Sequence, residues 1–144
     1  MYKVSLAIPI YNVSLFVERA LLSVLNQTYD NIEYLIVDDK GQDDSMDIVH
    51  RIIKDHPRGK DVRIIEHPYN IGLGATRNTA IDNAQGEYLF FMDSDDEIIP
   101  TCIEILVHKM QEHPVDFIAA SHMKKDLSGK TYPTYTYSPI LKIG

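Results

Sequence analysis

"KVSLAIPIYNVSLFVERALLSVLNQTYDNIEYLIVDD" occupies residues 3–39, and it changes period twice. Residues 3–10, "KVSLAIPI", form a short apolar run bounded by polar residues, the pattern of a buried strand. From Ser14 the spacing lengthens. Val17, Leu21, Val24 and Leu25 fall on one helical face, and Ser14 is suited to cap the helix N-terminus. "IEYLIVD" (32–38) then returns to a continuous apolar strand. Strand, helix and buried strand in this order predict a parallel pair with a helical crossover.

The same alternation continues downstream. Residues 43–56 read as a helix with Ile48, Val49, Ile52 and Ile53 inward, and residues 62–66 as a third strand. An alanine-rich helix is expected over 73–84 and a nearly all-apolar strand over 87–92. Pro100 is expected in the first turn of a helix over 100–110, where its missing N–H costs nothing. Ile103, Leu106, Val107 and Met110 would form that helix's inner face, and "VDFIAAS" (115–121) a fifth strand. The predicted class is α/β: a mostly parallel sheet with helices on both faces. The reading divides the chain into an α/β domain over residues 1–122 and the start of a further region over 123–144, where the periodicity fails.

Composition narrows the function. A formal net charge of −7 argues against nucleic acid as the main ligand, because phosphate-backbone binding needs clustered Lys and Arg. No apolar run approaches the roughly 20 residues of a membrane span. The N-terminus lacks a signal peptide's apolar region, and a single cysteine, Cys102, excludes an internal disulfide; both fit a cytoplasmic location. Cys102 reads as a buried structural thiol, and the six histidines lack metal-ligand spacing.

In open parallel sheets, ligands bind at the carboxyl ends of the strands. Three polar clusters fall there. Pro9, Tyr11 and Asn12 follow the first strand, Asp38 and Asp39 end the second, and Asp93-Ser94-Asp95-Asp96 follows the strand at 87–92. Asp93 and Asp95 are two residues apart, so in an extended segment their carboxylates share a side. Paired carboxylates suit a hard divalent cation, Mg²⁺ or Mn²⁺, which completes its shell with water and phosphate. Asp96 and Glu97 fit a solvated position or a helix start. Tyr11 can stack on a base or sugar ring, and Asn12 can hold its turn. Gly72 and Gly74 begin a G-x-G pattern, but Arg77 stands where a third glycine would be, so this is no dinucleotide fingerprint.

Two blocks, "VSLAIPIYNVSLFVERALLSVLNQTYDNIEYLIVDD" and "NIGLGATRNTAIDNAQGEYLFFMDSDDEIIP", strongly resemble family 2 glycosyltransferases across residues 4–100. The resemblance implies the GT-A fold, a Rossmann-like nucleotide-binding architecture. It also implies transfer of a sugar from a nucleotide-sugar donor, a UDP-sugar, to a saccharide or lipid-linked acceptor, with inversion at the anomeric carbon. Asp93-Ser94-Asp95 would be the family's DxD motif, with Asp95 on the metal and Asp93 on the ribose or the metal shell. Asp39 would accept the uracil N3–H, Asp38 would support the turn, Arg77 would reach the diphosphate and Asn78 would hold the loop. Lys40-Gly41-Gln42-Asp43 departs from the family's Gly-Ser-Thr-Asp and puts a cation beside the base pocket, while Asp43 and Asp44 also suit a plain helix cap. The general base would be an acidic residue beyond Gly144; Asp116 and Asp126 are the fallback candidates within the chain. Peripheral association with the inner face of a membrane would come from regions outside these residues. A sugar nucleotidyltransferase and a donor-binding module without turnover are the alternatives; the first would need a Gly-rich basic loop after the first strand, which "IPIYNVS" lacks.

Overall fold

The computed structural model describes residues 1–119, 123–126 and 128–133. Two compact units are separable, Met1–Glu104 and the chain from Ile105 onward. The first unit is built on four parallel strands: β1 (Val4–Ile10), β2 (Ile32–Asp38), β3 (Val62–Glu66) and β4 (Tyr88–Phe91), in the order β3-β2-β1-β4. The helices are α1 (Val17–Leu25), α2 (Ser45–Asp55) and α3 (Leu73–Asn83), with α4 (Cys102–Glu112) beginning at the end of the unit. No helix among the described residues is long and apolar enough to cross a membrane.

Burial follows from the sheet order. All seven residues of β2 are buried, as are all of β1 except the half-buried Pro9, because both strands have neighbours on each side. Ala7, Leu35 and Val37 point to one face and meet Ala80 of α3, with Ala84 and Leu89 alongside. The alternate residues Leu6, Ile8, Tyr34 and Ile36 point the other way and are also buried. Thr76 and Ala80 are the buried residues of α3.

β4 departs from the sequence reading. Its apolar run suggested a strand buried on both faces, but among the described residues it pairs on one side only, with β1, and Phe91 is 41% exposed. The β1–β4 register ends at Ala7 and Phe91, after which the Met92 N–H still reaches the Ala7 carbonyl. Pro9 lies two residues further and faces the same side, where it has no N–H to continue the ladder. Pairing therefore stops, at the point where the sheet order reverses.

Three further expectations are corrected. Ser14 does not cap α1: residues 13–16 form a turn, Phe16 is the N-cap residue, and the Ser14 N–H donates to Asp43 Oδ2 at 3.0 Å. Pro100 is not in the first turn of α4; it sits in a turn closed by the Cys102 N–H on the Ile99 carbonyl, a position that accepts proline equally well. Residues 115–119, the described part of the expected fifth strand, are not a strand. Beyond them, β5 (Met123–Lys125) and β6 (Thr131–Pro133) form a two-stranded antiparallel pair. In α4, Ile103, Val107 and Met110 are buried, while Leu106 is partly exposed. Tyr135 and Tyr137 lie outside the described residues.

Candidate functional site

The carboxyl ends of β1, β2 and β4 carry the predicted clusters. After β4 the chain enters a turn closed by the Asp96 N–H on the Asp93 carbonyl, 3.1 Å. That turn brings oxygens of Asp93, Asp95 and Asp96 within 4.8 Å of one another, all three side chains exposed. Sequence spacing had paired Asp93 with Asp95; the turn adds Asp96 to the group. Ser94 is buried between them. The donor set is all oxygen and exposed, which fits a hard cation that retains water and phosphate ligands. Arg77 Nη2 lies 3.7 Å from Asp93 Oδ1, both half-exposed. The expected guanidinium therefore stands beside the expected metal carboxylate, although sixteen positions separate them in "RNTAIDNAQGEYLFFMD".

A shallow recess opens beside the ends of β1 and β2, lined by Tyr11, Asn12, Asp38, Lys40 and Gly41 among others. Tyr11 is 48% exposed, so it is not core. Asn12 adopts φ 49° and its Oδ1 accepts the Gln42 N–H at 2.8 Å, tying the first loop to the second. A Cβ at residue 41 would lie 2.6 Å from Asn12 Oδ1 and 2.9 Å from its backbone nitrogen, which is why glycine stands there. Asp38 accepts the Lys40 N–H at 2.9 Å within the turn that follows β2. Lys40 does not point freely into the recess: its Nζ lies 3.1 Å from Glu66 and 3.8 Å from Asp38, and the Glu66 bond raises its pKa. Asp43 is occupied structurally. It accepts the Ser45 N–H and hydroxyl on Oδ1 and the Ser14 N–H on Oδ2.

Asp39 is 2% exposed and is not among the residues that line the recess. Its Oδ1 accepts from His67 Nδ1 at 2.8 Å and from the Ile71 N–H at 2.9 Å. Its Oδ2 accepts from Asn70 Nδ2 at 2.9 Å and from the Gly72 N–H at 3.0 Å. Burial pushes this carboxyl up, but the bonds from His67, Ile71 and Gly72 outweigh it and hold it below the ordinary aspartate range. Gly72, at φ 97°, takes a backbone conformation that disfavours a side chain and starts α3, the helix that carries Arg77. Asp39 thus organises the loop between β3 and α3.

Two buried residues with structural roles were not foreseen. His67 had no recognised partner in sequence, since Asp39 lies 28 positions away. Gln27 is buried; its Nε2 donates to the Ile99 carbonyl, and its Oε1 accepts the Ile103 N–H, which positions the chain after the acidic turn. Among the fallback base candidates, Asp116 is exposed, and Asp126 Oδ1 accepts three donors from Ser128 and Lys130 in the turn before β6. Cys102, expected to be buried, is only partly buried, and that burial raises its thiol pKa. Of the other histidines, His50 is exposed, His108 pairs with Glu112 and His122 lies outside the described residues.

Similarity to known proteins agrees with this geometry. The family model for glycosyl transferase family 2 matches residues 5–142. An Escherichia coli protein, UDP-Glc:alpha-D-GlcNAc-diphosphoundecaprenol beta-1,3-glucosyltransferase WfaP, is 36% identical, over 99% of this chain and 57% of its own length. An uncharacterised glycosyltransferase of Haemophilus influenzae is 33% identical, over 94% of this chain and 53% of its own. The structure of S. aureus TarS 1–349 in complex with UDP superposes with a TM-score of 0.77 at 27% identity, covering 92% of this chain and 38% of that one. The same protein has also been solved with UDP-GlcNAc. The chain therefore spans little more than half the length of these two curated relatives.

Proposed function

Because the chain belongs to glycosyl transferase family 2, we propose that it forms the donor-binding part of an enzyme that transfers a sugar from a UDP-sugar to an acceptor hydroxyl. The observation that carries this reading is convergence. Tyr11, Asp39, Arg77 and the Asp93–Asp95–Asp96 group stand at one edge of the sheet, beside the point where the β1–β4 pairing stops.

Each residue has a physical task. Tyr11 offers an exposed ring face for the base or ribose. Asp39 takes the uracil N3–H on Oδ2 when the exposed Asn70 amide moves aside; its other three donors are a buried imidazole and two backbone N–H groups. Arg77 binds the diphosphate, for which the guanidinium fork is well shaped. Asp93 and Asp95, with Asp96 close by, would hold Mg²⁺ or Mn²⁺. When bound there, the ion neutralises charge on the diphosphate.

The reaction is an in-line displacement. The acceptor oxygen bonds to the anomeric carbon as the carbon–oxygen bond to the diphosphate breaks, inverting that carbon. The acceptor proton passes to a general base, which no described carboxylate is placed to supply. A saccharide on a polyprenyl diphosphate is the acceptor class, supported by the name of the E. coli relative. The active site would then work at the cytoplasmic face of a membrane.

The test is calorimetric. UDP should bind at least about tenfold more tightly with Mn²⁺ than with chelator, and Asp95→Asn should remove most of that gain. UDP should also outcompete CDP by roughly fivefold or more, the scale of one hydrogen bond whose loss strands a buried carboxylate. Affinity for UDP that ignores both metal and Asp95→Asn would overturn the reading.

A further inference from the structure

We propose that His67 is a positioning residue that sets base selectivity by fixing the Asp39 carboxylate. The proposal rests on the reading above that Asp39 accepts the uracil N3–H.

His67 is 5% exposed and is anchored at three points. Its backbone N–H donates to the Asp38 carbonyl at 2.9 Å, extending the β2–β3 pairing past the strand ends. Its Nδ1 lies 2.8 Å from Asp39 Oδ1. Its Nε2 lies 2.7 Å from Thr79 Oγ1, on α3, two residues after Arg77. An ionised carboxylate only accepts, so Nδ1 carries a proton. The ring is thereby wedged between the base-binding carboxylate and the helix of the diphosphate-binding arginine.

Geometry gives the ring its role. A carboxylate turns about its bond to Cβ more freely the fewer donors hold its oxygens. On Oδ2 one of the two donors, Asn70, is an exposed side chain that an incoming base must displace. During that exchange Oδ2 retains only the Gly72 N–H. The plane of the group then depends on Oδ1, held by His67 and Ile71. Removing the imidazole leaves one backbone donor on each oxygen and a void beside Oδ1. Oδ2 then turns away from the direction a base N–H must approach. CDP offers no N3–H, so its binding does not draw on this alignment.

Substitution separates this from mere support of the fold. Asparagine places its amide near the position of Nδ1, while glutamine places it near Nε2. Affinities of UDP and CDP are measured by calorimetry with Mn²⁺ for the unsubstituted chain, His67→Ala, His67→Asn and His67→Gln, with melting temperatures alongside. His67→Ala should weaken UDP roughly five- to twentyfold, the lower part of the range for a disrupted buried hydrogen bond to a charged group, and leave CDP within about twofold. His67→Asn should restore UDP to within about threefold of the parent, and His67→Gln should not. If alanine prevents folding, the asparagine–glutamine comparison still decides. Parent-like UDP preference in His67→Ala or His67→Gln overturns the proposal, as does equal weakening of both nucleotides in all variants. Equal UDP and CDP affinity in the unsubstituted chain overturns the base reading, and this assignment with it.

Discussion

Asp39→Asn changes one atom and should cost about 2–4 kcal/mol of folding stability. The carboxylate accepts four hydrogen bonds, two on each oxygen, in a buried position. An amide keeps one oxygen, so one pair of donors loses its acceptor. If the NH₂ faces Asn70 and Gly72, the exposed Asn70 side chain can turn to solvent, but the Gly72 N–H cannot. If it faces His67 and Ile71, the imidazole can change tautomer, but the Ile71 N–H is stranded. Either way one backbone donor is left without a partner, at about 1–3 kcal/mol. The remaining bonds fall from charge-assisted to neutral, which costs on the order of 1 kcal/mol more. Urea unfolding should show the loss as a lower midpoint at unchanged slope, with a melting temperature lower by roughly 5–15 °C. Hydrogen exchange should quicken at Ile71 and Gly72 before it changes in β1 or β2. A stability loss below about 0.5 kcal/mol would refute the four-donor arrangement and its role in holding the β3–α3 loop.

Other outcomes follow from neighbouring geometry. Glu33 is buried and accepts from Ser5 and the Gln85 N–H; burial raises its pKa, but those bonds and the charges of Arg63 and Lys3 bring it below the usual value. A folded pKa below the unfolded one gives stability that is present above about pH 4.3 and is lost as pH falls through the folded value. Glu33→Gln should therefore flatten the acid limb of an unfolding-versus-pH curve; an unchanged limb would count against this carboxylate. Gly41→Ala pushes on both the side chain and backbone of Asn12, and should cost about 1–3 kcal/mol in denaturant unfolding, with weaker nucleotide binding; parent-like stability would show that the Tyr11 loop yields freely. Arg77→Ala should weaken UDP about five- to thirtyfold and leave uridine unaffected, and equal loss for both ligands would place Arg77 away from the diphosphate.

The period of the apolar residues by itself predicted five strands and four helices; four of those strands and all four helices form, with most boundaries within two or three residues, and the described part of the fifth strand does not. These features are local: burial on both faces demands unbroken apolar runs, and helices need apolar residues at three- and four-residue spacing. Strand direction then carried Tyr11, Asp38, Asp39 and the acidic turn to one edge. Tertiary structure alone decided what those residues touch. Ser14 gives its N–H to Asp43, Asp39 is bound by His67 and the 70–72 loop, and Gln27 holds the chain at Ile99 and Ile103. Each pairing joins positions 28 to 76 residues apart. Hydrogen-bond partners are chosen by proximity in the folded sheet, and local periodicity holds no record of that proximity. The one-sided pairing of β4 among the described residues was hidden for the same reason: an apolar run reports burial, but not which side of the strand has a neighbour.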